Sequence, residues 1–305
     1  MSGTTRPRRA ALAVAVALVG GAAVVGGTML SSSGEPRPPQ RPVAATSRLH
    51  ALPPITDRLF TWTDTHERSA EAQRQVAIAC MAERGFHYAP VAHKGTAGED
   101  ERPQLFGLES SLPPRAAPPV AEKPPKPGSP ETTAAYGKAL FGDKDKRVTA
   151  KGVQGMKVSR PGNGCLAEAE TRILGDGRMR WLQVRIMLFE AQEQARADLE
   201  KDPAFKSATT RWQQCMKRHG FAGQRDPQQL LMSLRDDQAR RGNPLLNADL
   251  SCKHDTGYLD TAYTRLAAVQ QRWLDRNPAV TKDWTALLAR QDKTSREVLG
   301  ATSPG

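Results

Sequence analysis

Four cysteines, at positions 80, 165, 215 and 252, are the residues in this 305-residue sequence best suited to chemistry. Cys215 has His219 one helical turn further on, and Cys252 is followed by Lys253 and His254. Two thiolates and two imidazoles are in principle a tetrahedral zinc set. Zinc sites, however, draw on close pairs such as C-x-x-C, whereas these cysteines are 85, 50 and 37 positions apart. A nucleophilic thiolate would need a positioned base and access to solvent. Cys215 instead shares a helical apolar line with Phe205, Ala208 and Trp212. We therefore expect no metal, no cofactor and no catalytic cysteine, and read the four as two disulfides. Glu168 and Glu190 are the carboxylates that could act as acids on a wall glycan, but Glu on an amphipathic helix is ordinarily solvated and catalysis requires a raised pKa. No G-x-S-x-G, H-E-x-x-H, G-x-x-x-x-G-K-[ST] or S-x-x-K is present. Trp181, Trp212, Trp273 and Trp284 could line a sugar groove, yet all four fall on apolar helical stripes and read as core; Trp62 is the one expected to be most exposed.

The cysteines stand in repeated contexts. Cys80-Met81 with Gly85-Phe86 returns as Cys215-Met216 with Gly220-Phe221, each copy closing a helical run. Glycine suits the left-handed residue just past a helix end, and Phe at the next position can fold back onto the Met. In the first copy Arg84 holds the place of His219, which counts further against zinc. A helix stop explains the Met, Gly and Phe but needs no cysteine. Four cysteines allow three pairings. Each helix-ending cysteine is followed by one that opens a helical run, Cys165 in Gly164-Cys165-Leu166 and Cys252 in Ser251-Cys252-Lys253. The expected bonds are therefore Cys80 to Cys165 and Cys215 to Cys252.

The elements that must hold these residues read as helices. Helical spacing predicts one over about 64–84, capped by Thr61 or Thr63, a short one over 136–141 and another over 166–174. Arg178 to Glu200 is the strongest, with an apolar stripe wide enough to be buried on more than one side. Asp202-Pro203, Asp226-Pro227, Asn243-Pro244 and Asn277-Pro278 each combine a capping side chain with a first-turn proline. No segment of useful length alternates with period two. The fold class is all-α: a small disulfide-stapled helical bundle with an N-terminal membrane segment and a proline-rich insertion. Ten prolines lie between positions 90 and 130, and the insertion, about 90–160, reads as extended and disordered.

From Ala10 to Leu30 the chain carries 21 uncharged, mostly apolar residues behind Arg6, Arg8 and Arg9. That length reaches the ~20 residues needed to span a bilayer and exceeds the core of a usual cleaved signal. The organisation expected is a basic cytoplasmic tail over 1–9, a transmembrane anchor or signal over 10–30, a flexible stalk over 31–54, an extracytoplasmic helical domain over 55–299 and a tail over 300–305. The net charge is +12, about +9 without the three leading arginines, and the cations are spread among 32 acids. Outside a membrane the available polyanions are lipid headgroups and wall polymers, so no nucleic acid is expected as a partner.

Ala79-Cys80-Met81 with Gly85-Phe86, Gly164-Cys165-Leu166 with Glu168-Ala169, Asp202-Pro203 leading to Trp212 and Cys215-Met216, and Ala248-Asp249-Leu250-Ser251-Cys252-Lys253 carry a resemblance. Over about 61–299 the chain resembles a group of exported and membrane-anchored proteins of Streptomyces and related actinobacteria that has no assigned activity. The resemblance implies an extracytoplasmic protein and transfers no catalytic residue. That group tends to place Tyr-Gly elements between the first two cysteines, where this chain has Phe106-Gly107 and Tyr136-Gly137.

The first functional reading is a non-catalytic binding or scaffold protein of the cell envelope, a single-pass membrane protein with a cytoplasmic N-terminus and an envelope protein or wall polymer as partner. The alternatives are a wall hydrolase using Glu168 or Glu190, and a freely secreted wall-polymer binder.

Overall fold

The computed structural model describes residues 50–91, 102–110, 126–234, 240 and 242–302. All belong to one compact unit, 45–115 with 125–305. The expected tail, membrane segment from Ala10 to Leu30 and most of the stalk lie outside the described residues. Among the described residues no helix is long and apolar enough to cross a membrane.

The elements in chain order are helix α1 (Pro54–Phe60), α2 (Asp64–Glu83), α3 (Ala134–Phe141), strands β1 (Arg147–Lys151) and β2 (Lys157–Pro161), and helices α4 (Cys165–Leu174), α5 (Arg178–Leu199), α6 (Pro203–Arg218), α7 (Pro227–Ser233), α8 (Pro244–Asp255), α9 (Tyr258–Arg276) and α10 (Pro278–Thr302). The start signals act as the sequence suggests. Asp202 accepts the N–H groups of Ala204 and Phe205, Asp226 those of Gln228 and Gln229, and Asn243 that of Leu245. These bonds satisfy donors that a helix leaves unpaired at its N-terminus. The stop signal is the same at both repeats. Gly85 and Gly220 have φ of 79° and 85°. The Phe86 N–H donates to Met81 O and the Phe221 N–H to Met216 O, each at 2.9 Å, and the glycine N–H groups bond one carbonyl further along. This is the Schellman pattern, and the two Phe rings pack into the clusters that hold the two Met side chains.

Around these helices the core divides by neighbourhood. α2, α3 and α4 enclose Cys80, Met81, Tyr136, Leu140 and Cys165. α1, α5, α9 and α10 share Ile55, Val184, Leu188, Leu274 and Trp284. α5 to α9 bury Trp212, Met216, Leu246, Tyr258 and Leu266. Gln270 on α9 is fully buried and its amide oxygen accepts the Ile55 and Thr56 N–H groups at 2.8 and 3.2 Å. A side chain from the far end of the sequence thus supplies the cap that Pro53 cannot give α1.

Three expectations are corrected. The fold is mostly helical rather than all-α, because β1 and β2 pair antiparallel with Arg147 opposite Pro161 and Lys151 opposite Lys157. Only Ala150 among the ten strand residues is buried, so the hairpin has no apolar face to betray it. The insertion about 90–160 contains this hairpin and α3, and its segment 102–110 is tucked into the core, with Leu105, Phe106 and Leu108 at most 5% exposed. Finally, Cys252 does not open the long C-terminal run. It sits within α8, and Gly257 in the left-handed region, with φ of 60°, separates α8 from α9.

Candidate functional site

The cysteine sulfurs are bonded to one another. Cys80 joins Cys165 and Cys215 joins Cys252, each with Cα atoms 5.6 Å apart. Cys215, His219 and Cys252 do bring ligand atoms within 4.8 Å of one another. With both sulfurs in a disulfide, neither is the thiolate a metal requires. His254 does not join them; its ring is exposed and, among the described residues, its polar partner is Asp255, at 3.1 Å.

The two carboxylates considered as acids have structural partners. Glu190 is buried, and its oxygens accept the backbone N–H groups of Gln154 and Met156 at 3.0 and 2.9 Å. It therefore anchors the β1–β2 loop, whose Gly152 has no room for a Cβ against that same carboxylate. Glu168 is half exposed, 3.5 Å from the Arg84 guanidinium and 3.3 Å from Cys80 Sγ, a sulfur with no proton to donate. The tryptophans separate too. Trp212 is fully buried, and Trp284, 7% exposed, stacks on Trp181 at 4.8 Å between ring centres. Trp273 packs against the same cluster as Trp284. Trp62 is half-buried rather than exposed.

Sequence reasoning missed a buried polar system beside the second disulfide. Asp249 on α8 accepts the Trp212 Nε1–H at 3.0 Å and the Lys253 ammonium at 2.7 Å, and Lys253 also donates to Leu108 O at 2.6 Å. Asp249 is 0% and Lys253 2% exposed. Burial pushes the Asp249 carboxyl up and the Lys253 ammonium down, each shift opposed by the charge of the other. The i, i+4 spacing of Asp249 and Lys253, on the face that carries Leu246 and Cys252, was the available signal.

That system holds a strap, residues 102–110, across α8 and α9. Arg196 donates to Leu105 O at 3.3 Å, and Tyr263 donates to the Glu109 carboxylate. The Phe106 ring meets Tyr258 and Tyr263 edge-on. Gly107 is required here: its φ is 75°, and a Cβ would lie 2.3 Å from Pro227 O. The run Leu105-Phe106-Gly107-Leu108 inside polar, proline-rich sequence was the visible hint.

Beside the strap lies a groove of about 660 Å³ bounded by α5, α6, α7 and α9. Phe106, Phe205, Tyr258 and Leu266 give it an apolar floor, and Gln192, Gln213, Gln228 and Gln229 contribute amides. Gln192 is only 6% exposed, and its Oε1 has no hydrogen-bond partner among the described residues. A buried acceptor left unpaired costs ~1–3 kcal/mol, so this oxygen marks where a donor belongs. The size is that of a ligand site, and Arg196, Lys206, Arg225, Glu200 and Asp226 add charges of both signs to the walls. Comparisons of the chain with protein-family models, with curated proteins and with solved structures found no match.

Proposed function

We propose that this is a non-catalytic binding protein of the cell envelope, which holds a segment of wall polymer in the groove beside the 102–110 strap. The observation that carries the reading is the buried, unpartnered Gln192 Oε1 in a groove with an aromatic floor and amide walls. Aromatic faces, amides and charges of both signs together suit a chain rich in hydroxyl and amide groups, where stacking supplies area and the polar groups fix orientation. The commitment of Glu190 to backbone N–H groups and of Glu168 to an exposed ion pair favours binding over hydrolysis. The extracytoplasmic placement, by an anchor from Ala10 to Leu30, rests on that basic-then-apolar segment, on the resemblance to exported actinobacterial proteins and on two disulfides, which persist in oxidising compartments.

Sedimentation with insoluble wall material, followed by calorimetry with soluble wall fragments, tests this. The native protein is expected to bind without releasing cleaved products. Gln192→Leu is expected to weaken binding at least tenfold while leaving thermal stability within a few degrees of native. Absence of binding, binding equal in Gln192→Leu, or release of cleaved fragments would overturn the reading.

A further inference from the structure

A second, smaller pocket of about 210 Å³, sharing no lining residue with the groove, lies between α2, the hairpin, α4, α5 and α10. Arg160, Arg178 and Arg185 all line it, with Glu170 as the one carboxylate among its walls. Arg178 is committed to structure: it donates to Glu170 at 2.8 Å and to Pro161 O at 2.7 Å. Arg160 reaches the same carboxylate at 3.4 Å. One negative charge thus serves two guanidinium groups.

Arg185 has neither ion pair nor hydrogen bond among the described residues. Its guanidinium sits 5.8 Å over the Trp181 ring at the pocket's edge. Partial desolvation by the surrounding protein, and then the charge of Arg160, push its pKa down. The same positive field acts on His66 across the pocket, whose pKa is lowered first by burial and then by Arg185. A partly desolvated cation that feels the charge of a second cation and has no counterion among the described residues is the arrangement expected when the counterion is a ligand. An independent mark comes from α10. Gln291 is 3% exposed and lines the pocket, its Oε1 accepts from Ser69 at 3.4 Å, and its Nε2 has no partner among the described residues. The unmet need here is for an acceptor, whereas at Gln192 it is for a donor.

We propose that this pocket binds a phosphate group, free or as a small monoester, between Arg185, Arg160 and the Gln291 amide. Two guanidinium groups and a spare amide donor match an oxyanion with several acceptor oxygens, and Arg is the side chain best shaped for it. The volume lies below the ~300–1,000 Å³ of ordinary drug-sized sites, which restricts the ligand to a head group with a short substituent.

Calorimetric titration of the full-length protein with inorganic phosphate at fixed chloride, with acetate as a parallel arm, tests the site. Native protein is expected to bind phosphate saturably and to gain thermal stability from it. Arg185→Gln removes no existing hydrogen bond or ion pair, so it is expected to fold as the native chain does, to bind phosphate at least tenfold more weakly and to lose the thermal shift. Gln291→Met, which also gives up the long bond from Ser69, is expected to cost the free protein little stability and to weaken phosphate binding. Glycerol phosphate displacing inorganic phosphate would support the small monoester as ligand, and its failure to compete would support the free ion. Absence of saturable phosphate binding overturns the proposal, as does equal affinity in Arg185→Gln or equal response to acetate. A Gln291→Met protein that is less stable yet binds phosphate normally would assign the amide to internal water and overturn its role.

Discussion

The Asp249–Lys253 pair gives the sharpest energetic test. Lys253→Met keeps most of the apolar stem of the side chain and removes the ammonium group with its charge and its N–H donors. The Asp249 carboxylate then stays fully buried with the Trp212 indole N–H as its one donor among the described residues, and Leu108 O loses the Lys253 ammonium. Breaking a buried pair by removing one member costs ~3–5 kcal/mol, the lost bond to Leu108 included. For a domain of this size that is a fall in Tm of roughly 6–20 °C, at ~2–4 °C per kcal/mol. Adding Asp249→Asn to Lys253→Met removes the orphaned charge while keeping an oxygen for Trp212, so the double variant is expected to recover about half of the loss or more. Asp249→Asn alone leaves the ammonium without its charge partner and is expected to be destabilising by itself. The same substitution thus stabilises in one background and destabilises in the other, a coupling that only neighbouring groups show. Lys253→Met is also expected to regain stability on acidification, since a buried carboxyl with a raised pKa binds its proton more tightly folded than unfolded. Urea denaturation followed by tryptophan fluorescence, with disulfides intact, measures all four corners of the cycle. A Lys253→Met loss under ~1 kcal/mol, or an Asp249→Asn change that adds to it, would refute the reasoning.

Two further outcomes follow from the structure. Replacing Cys80 and Cys165 by Ser is expected to cost about 4.6 kcal/mol and replacing Cys215 and Cys252 about 3.8, from loops of 85 and 37 positions, so the first variant should have the lower urea midpoint. Asp143 is held at a pKa of about 2, first by Lys138 and then by Asn163, so its contribution to stability is complete above the ordinary carboxyl value and disappears as pH falls through about 2. NMR titration of that carboxyl, and acid unfolding of Asp143→Asn, which should lack this part of the acid limb, check it.

What the sequence disclosed about this fold was local. Asp202, Asp226 and Asn243 bond N–H groups two or three positions away, and Gly85 and Gly220 end their helices by geometry contained within six residues. Such signals are legible because cause and effect share one stretch of chain. The hairpin was missed because its loop is secured by Glu190, 34 and 36 positions from the N–H groups it accepts, while its strands show no apolar alternation. The strap was missed because proline content is a statement about helices and strands and says nothing against burial in an extended form. Phe106 finds its ring partners at Phe205, Tyr258 and Tyr263, a set that only the folded chain assembles. Both pockets were invisible for the same reason: an unpaired amide at Gln192 or Gln291, and an arginine without a counterion at Arg185, are properties of surroundings rather than of residue type.

The two disulfides close successive, non-overlapping rings, 80–165 and 215–252. A single proteolytic cut anywhere inside either ring therefore leaves the two pieces as one covalent molecule, with the strap still seated if the cut misses it. Cleaved and intact protein should run together without reductant and separate with it. A chain so wired survives one cut in each ring as a single covalent molecule, whereas a cut between 165 and 215 separates the two rings.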